Sequence, residues 1–423
     1  MNPSFNFKDA ETYLDSLLVF GIKLGLENMV SLNQLLGDPA SSLKFIHVAG
    51  TNGKGSTCAM IATACKYSGL KTAFYSSPYL VNFLERWRIN GTPIQEELYL
   101  EAIQEIMLIE DQLIEITGVK PTYFEVLTAA ALIIFQKEKC ELVVWETGMG
   151  GRLDATNIVN PLMSIITNIA MDHGSYLGET IEEVASEKAG IIKANTPFIC
   201  GELDPKLKSI FAQKAQKSSQ YYMDTDFLSH RQGTDIQYQG THELNYKLRL
   251  LGDHQVSNSS IAIKALEVLE DQGILESAII AAKGIQYAHW PGRIQELPNQ
   301  IYVDGAHNPA AMEKLSHCFT GKKFTVLCGM MEDKDIKATL KKLAPICKNF
   351  IAIPINIPRA IQAETLADIA KETLNCPCSF QNNWETCINN IEGKVLITGS
   401  LYLSGEVLSK LAPDSALRCD ILE

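Results

Sequence analysis

Residues 44–57 read KFIHVAGTNGKGST. A run of strand formers empties into a turn of small residues that ends in Lys54, Gly55, Ser56 and Thr57. Small residues let backbone N–H groups converge on an anion, and the helix that follows adds the positive end of its dipole. Lys54 supplies a mobile charge, and a hydroxyl can reach Mg²⁺. The stretch predicts a phosphate-binding loop over Gly50, Thr51, Asn52, Gly53, Lys54, Gly55, Ser56 and Thr57, with a nucleoside triphosphate as its ligand. It departs from the common G-x-x-x-x-G-K-[ST] pattern: Gly50 stands only three residues before Gly53, and Gly55 separates Lys54 from Ser56. A tight turn without a ligand is the competing reading. A lysine and two hydroxyls opening a helix after a strand speak against it.

Composition limits what surrounds the loop. The chain has 423 residues, 46% of them hydrophobic, and a formal net charge of −12. That length suits about two or three domains with cores of their own. Nonspecific nucleic-acid affinity comes from Lys and Arg neutralising phosphates, so no nucleic-acid partner is expected and any polyanion site must be local. The longest largely apolar stretch, Val126 to Phe135, falls well short of the ~20 residues that cross a bilayer. The first residues, MNPSFNFKDAETYLDSL, have neither the basic lead nor the apolar core of a signal peptide. The expectation is a soluble, cytoplasmic protein with no membrane partner. Eleven cysteines are scattered without a framework, and the close pair Cys376 and Cys378 lacks zinc-ribbon spacing and a second pair. They read as reduced thiols, mostly packing residues.

From Ser42 to about Cys200, strand-like runs alternate with helical ones, which argues for a parallel sheet covered by helices. The predicted strands are Phe45 to Ala49, Thr72 to Ser76, Leu142 to Glu146, Ser164 to Ile169 and Pro197 to Cys200. Helical periodicity covers Ser56 to Ser68, Glu96 to Thr117 and Tyr123 to Lys137. Thr180 with Glu183 is a capping-box signature opening a helix through Lys188. Residues 221–251 read as short alternating strands, a β-rich insertion, and Ser257 to Asp271 returns to helix. Pro291 and Gly292 mark the best linker, and a fresh alternation begins at Ile301, with strands at Phe324 to Cys328, Phe350 to Ile353 and Val395 to Thr398. The expected fold is α/β: an N-terminal P-loop-type, mostly parallel sheet with flanking helices over residues 1–290, and a C-terminal Rossmann-like α/β domain over residues 291–423.

Polar clusters follow the predicted strands, where open α/β sheets bind ligands. Tyr75-Ser-Ser-Pro-Tyr follows one strand, Glu146 to Asn157 another, and Met171-Asp-His a third. A hydroxyl, a carboxylate and an imidazole there could complete a Mg²⁺ site beside the phosphate loop. Taken singly, each has a plainer reading. Glu146 could cap its glycine-rich turn, His173 could be structural, and Lys188 could be an ordinary helix-surface lysine.

In order along the chain, the segments His47-Val-Ala-Gly-Thr-Asn-Gly-Lys-Gly-Ser, Ser76-Ser-Pro, Glu85-Arg-Trp-Arg-Ile-Asn-Gly, Thr122-Tyr-Phe-Glu, Glu146 to Asn157, Asp172-His, Glu187-Lys-Ala-Gly-Ile, Asp304-Gly-Ala-His-Asn-Pro and Gly399-Ser-Leu-Tyr-Leu-Ser-Gly-Glu-Val resemble folylpolyglutamate synthase/dihydrofolate synthase, a branch of the Mur ligase superfamily. The resemblance implies ATP as co-substrate, held between the two domains, with Gly53 to Ser56 on its phosphates and Asn258, Arg293, Asp304 and His307 also contacting it. It implies Mg²⁺, two ions, with Ser56, Ser77, Glu146 and His173 as ligands, and a monovalent cation as a further candidate. Lys188 matches a lysine carbamylated in many relatives, and Lys54, His173 and Lys188 form the implied catalytic set. Thr122, Tyr123, Phe124 and Glu125, with Leu153, Asp154 and Ala155, match pterin-binding segments. A pterin needs an aromatic platform and a carboxylate for its amino group, which Phe124 and Asp154 could supply.

The implied reaction is ATP-dependent amide formation: dihydropteroate or a reduced folate becomes an acyl phosphate, which the amine of L-glutamate attacks. A monomer is expected. Three positions depart from the family pattern: Tyr79 where a His is usual, Gly174-Ser175 in place of Thr-Asp, and Trp87 at an aliphatic position. Three alternatives remain open: a Mur-type peptidoglycan amino-acid ligase, a folylpolyglutamate synthase with the single activity, and an NTPase switch that ligates nothing.

Overall fold

The computed structural model describes residues 5–18, 25–172 and 177–421. Its first sheet has eight strands: β1 (Phe45–Ala49), β2 (Thr72–Tyr75), β3 (Trp87–Ile89), β4 (Thr92–Pro93), β5 (Leu142–Glu146), β6 (Met163–Ile166), β7 (Phe198–Cys200) and β8 (Gln220–Tyr222). They lie in the order β4-β3-β2-β5-β1-β6-β7-β8, parallel throughout except for the β3–β4 hairpin at one edge. β1 and β5 occupy the middle and are buried along their whole length, as parallel strands covered on both faces must be.

Alternation along these strands feeds two cores. Ile46, Val48, Leu142 and Val144 pack with the helices Lys54–Tyr67 and Asp253–Asp271. Phe45, Val143 and Trp145 turn the other way, onto Glu96–Thr117 and Tyr123–Lys137. A side-chain period of two in a central strand sends neighbours to opposite faces, so each strand contributes to both layers.

The β-rich stretch forms an antiparallel sheet of β9 (Leu228–Gln232), β10 (Asp235–Gln239) and β11 (Glu243–Tyr246), whose Ile236, Tyr238 and Tyr246 join the core beside Asp253–Asp271. A six-stranded sheet follows: β12 (Gln295–Leu297), β13 (Ile301–Val303), β14 (Phe324–Cys328), β15 (Cys347–Ala352), β16 (Cys378–Phe380) and β17 (Val395–Thr398), ordered β12-β13-β17-β14-β15-β16. Only β12 runs antiparallel. The architecture is the α/β one that the alternation predicts, two parallel-rich sheets in succession.

Several boundaries differ from those read in the sequence. β6 stops at Ile166 rather than Ile169, because Thr167 and Asn168 turn aside to bond Asn52 of the phosphate loop. The β3–β4 hairpin is too short to show alternation, and it was not predicted. Thr180 and Glu183 do form the capping box that opens Ile181–Ala189. All eleven cysteines are free thiols, most of them buried. Among the described residues no helix is long and apolar enough to cross a membrane.

Candidate active site

Between β1 and the helix Lys54–Tyr67 the loop is held from below by residues after β6. Thr51 donates its N–H to Asn168 O at 2.9 Å, and Asn52 N–H reaches Asn168 Oδ1 at 3.1 Å. Thr167 Oγ1 and Asn168 Nδ2 both donate to Asn52 O at 2.7 Å. Lys54 Nζ folds back on Gly50 O at 3.0 Å, while Ser56 Oγ accepts from Gln255 Nε2 at 3.3 Å. Asn258, one helical turn after Gln255, bonds Gln255 Oε1 at 2.9 Å and sets its own Oδ1 against Gly53.

The glycine between Lys54 and Ser56 has a steric reason. A Cβ at Gly55 would lie 2.6 Å from Trp290 Nε1, 2.8 Å from Cε2 and 2.9 Å from Cζ2, nearer than real Cβ atoms come. Trp290 belongs to the connection between the two sheets, so the unusual loop is shaped to receive that connection.

Parallel register brings the other groups to the same end of the sheet. Val48 pairs with Glu146, so the Glu146 carboxylate stands beside the loop. It accepts the backbone N–H of Ser77. Burial pushes its carboxyl up to about 7, against the opposing pull of Lys54 and Arg293. Lys188, near the end of Ile181–Ala189, is 4% exposed. Burial and the Lys54 charge bring its amine down to about 7, although Asp172 and Asp154 pull the other way.

The second sheet supplies the opposite wall. Asp304, just after β13, accepts N–H groups from Ile294 and Ala306 at 2.8 Å each. Burial raises its carboxyl above the usual range, opposed by Arg293. His307 directs Nδ1 at Gly305 O, 2.8 Å away. The carbonyl can only accept, so the proton sits on Nδ1 and Nε2 is left as the acceptor. Desolvation takes this imidazole down to about 4. Asp172 of the first lobe meets Lys334 at 2.7 Å and Asn308 at 3.2 Å, and Asn308 also reaches Asn52 at 3.2 Å.

These groups enclose one cleft of about 300 Å³, within the range of small-molecule sites. Gly50 to Ser56, Ser77, Glu146, Lys188, Asn258, Arg293, Asp304 and His307 all line it, together with Asp172, His254, Gln255 and Lys334. Thr57 does not; it is buried behind the loop. His173 lies outside the described residues, as do Gly174 and Ser175.

The pterin-matching segments are not brought into this cleft. Thr122 Oγ1 and Glu125 form a reciprocal cap on the helix Tyr123–Lys137, and Glu125 also accepts from Asn28. Asp154 accepts Met149 N–H on one oxygen and Thr156 N–H on the other, so it ties the turn after β5. Phe124 packs its ring against Gly148, Tyr123 bonds Arg86, and Ala155 joins the core, with Leu153 two residues before it. At the departures, Tyr79 sits under the Arg86 guanidinium at 5.1 Å. Trp87 is wholly buried, donating Nε1–H to Leu127 O at 3.2 Å.

Sequence reasoning missed Lys334, Asn308, Gln255 and Trp290. The phasing of Gln255 with Asn258 on one helix face could have raised the first-lobe residue. For the others only the folded contact reveals the role.

A phosphate loop facing a second α/β sheet across a cleft defines a two-lobed nucleotide-dependent ligase. Residues 48–266 match the Mur ligase middle domain, and residues 292–401 match the Mur ligase glutamate ligase domain. The dihydrofolate synthase/folylpolyglutamate synthase of Bacillus subtilis is 34% identical, over 96% of this chain and 99% of its own length. The folylpolyglutamate synthase of Thermotoga maritima superposes with a TM-score of 0.84 at 32% identity, covering 95% of this chain and 97% of that one. Escherichia coli FolC in complex with DHPP and ADP gives 0.84 at 31%, with the same coverage. The chain belongs to the dihydrofolate synthase/folylpolyglutamate synthase family of Mur ligases.

Proposed function

We propose that this protein uses ATP to join L-glutamate to the carboxylate of a pteroate or folate, as both a dihydrofolate synthase and a folylpolyglutamate synthase. One observation carries the proposal: the loop residues 50–56, Glu146 and Lys188 face Arg293 and Asp304 across a single cleft. The family relatives named for both activities support the bifunctional form. Division at residues 290 and 291 into lobes that close over ATP is part of the same proposal. So are the single-chain state and a cytoplasmic location.

Backbone N–H groups of the loop and the amine of Lys54 hold the terminal phosphates, and Arg293 adds charge from the second lobe. The substrate carboxylate attacks the γ-phosphorus, the bond to the β-phosphate oxygen breaks, and ADP leaves. The amine of glutamate then attacks the acyl phosphate carbonyl, loses a proton and expels phosphate. A carboxylate is a poor electrophile, and phosphorylation provides the leaving group that water exclusion in a closed cleft protects.

Ser56, Ser77 and Glu146 offer hydroxyl and carboxylate oxygens, the donors Mg²⁺ takes alongside substrate phosphates. The raised Glu146 carboxyl is one whose ionised form a dication would favour. When bound, the ion draws charge from the phosphates. His173 as a further ligand, the second Mg²⁺ and the monovalent cation rest on family membership alone. Lys188 carries an amine brought down to about 7, which supports carbamylation: the neutral nitrogen adds to CO₂ and releases one proton.

The test is incubation with ATP, Mg²⁺ and glutamate, adding dihydropteroate in one tube and tetrahydrofolate in another. Glutamylated product in both supports the full proposal, and product with tetrahydrofolate alone restricts it to chain extension. ADP release that needs neither acceptor nor glutamate overturns it.

A further inference from the structure

We infer that residues 417–421 act as the second strand of the interlobe hinge and, through Asp420 and Arg88, position the phosphate-loop helix for nucleotide binding. The inference rests on the ligase reading above only for its catalytic readout.

After the second sheet the chain returns to the first lobe and lies beside the connection that left it. His289 N–H donates to Cys419 O at 2.9 Å and Ile421 N–H to Tyr287 O at 3.0 Å. Ala288 and Asp420 form an antiparallel bridge between these bonds. Two chain segments therefore cross between the lobes as one short ribbon. A paired ribbon resists bending out of register in a way that a single extended linker does not, because bending must break or shear its hydrogen bonds.

The ribbon is fastened to the machinery on its first-lobe side. Asp420, 1% exposed, receives Lys66 Nζ on both oxygens, at 3.1 and 3.0 Å. Lys66 is in the last turn of the helix that begins at Lys54. Thr63, one turn earlier, donates Oγ1–H to Cys419 O at 3.3 Å. Gly91 O accepts Cys419 N–H at 3.1 Å, and a Cβ on Gly91 would collide with the Asp420 carboxylate. The β3–β4 turn is thus cut to admit this side chain.

Arg88 joins the ribbon to the cleft. This guanidinium, 1% exposed, donates Nε–H to Leu417 O at 3.4 Å and Nη1–H to Ser76 Oγ at 3.3 Å. It lies 5.0 Å from the centroid of Trp290, whose indole is the group that Gly55 accommodates. Tail position is thereby transmitted to both ends of the same helix and to the residue before Ser77. Neither Asp420 nor Arg88 lines the cleft of about 300 Å³; they are positioning residues.

The experiment compares Asp420→Ala and Gly91→Ala with the parent protein, measuring melting temperature, ADP affinity by calorimetry, and ADP released per amide bond formed. Folded variants with ADP affinity about tenfold weaker, and more than one ADP released per amide, support the hinge. Parent-like ADP affinity and a ratio of one in a folded variant overturn it. Gly91→Ala also strains its own turn, where Gly91 has φ +82°, so Asp420→Asn, which keeps the side chain's shape and removes its charge, decides the matter if Asp420→Ala does not fold. If the parent protein binds ADP but forms no amide, the ligase reading fails, and the ADP affinities still decide the hinge.

Discussion

The phosphate loop and the Thr122–Glu125 and Leu153–Ala155 segments are equally conspicuous as motifs, yet the fold uses them in opposite ways. Around the loop, backbone groups of Thr51 and Asn52 are tied down from beneath by Thr167 and Asn168, and the upper face opens on the cleft. In the other segments the polar groups are consumed internally. Thr122 and Glu125 cap a helix, and both Asp154 oxygens hold a turn. A motif residue whose hydrogen-bonding capacity is already used is scaffold first, and its substitution acts first on stability.

Four substitutions or titrations can break or sharpen that contrast. Lys54→Ala has the largest expected effect, a loss of roughly 10²–10³-fold in glutamate-dependent ADP release, the scale for removing one preorganised donor from developing charge; melting temperature should hardly move. A Lys54→Ala enzyme that turned over normally would remove the loop from the mechanism. Asp154→Ala comes next and should lower stability by about 1–3 kcal/mol for each buried donor it strands, read by denaturant unfolding. An unchanged midpoint with a raised KM for dihydropteroate would instead make Asp154 a substrate contact and erase the contrast.

Lys188 tests the cleft side again. Its amine is near 7 in the folded protein and 10.5 when unperturbed. Between those values the unfolded chain holds a proton that the folded chain lacks, so stability rises with pH through that window, by up to ~1.4 kcal/mol per pH unit. Lys188→Met should flatten this slope in ligand-free protein unfolded at pH 7 and pH 9 without added bicarbonate. Thr122→Ala is the smallest, about 1 kcal/mol for a lost helix cap, with KM for ATP unaltered.

The central strands were legible because they are short continuous apolar runs, and β1 and β5 have the predicted bounds. So was the capping box at Thr180, a purely local pattern. β6 ran long in the sequence reading because Thr167, Asn168 and Ile169 look like strand continuing, and only the contact with Asn52 turns the chain. In the site, Glu146 and Ser77 could be found at strand ends. Lys334 carries no signal of its own, and Asn308, a helix cap within the quoted Asp304 motif, shows its second role only where Asp172 and Asn52 come to meet it.

The main strands and helices, the glycine-rich loop motif and the family were readable in the sequence alone, since these depend on neighbours within a few residues or on motifs in fixed order. Tertiary structure decided which motif residues are free to act and why Gly55 is glycine. The Asn28 amide on Glu125 and the seat of Trp290 against Gly55 arise between residues far apart in the chain, and only folding brings such groups within contact distance.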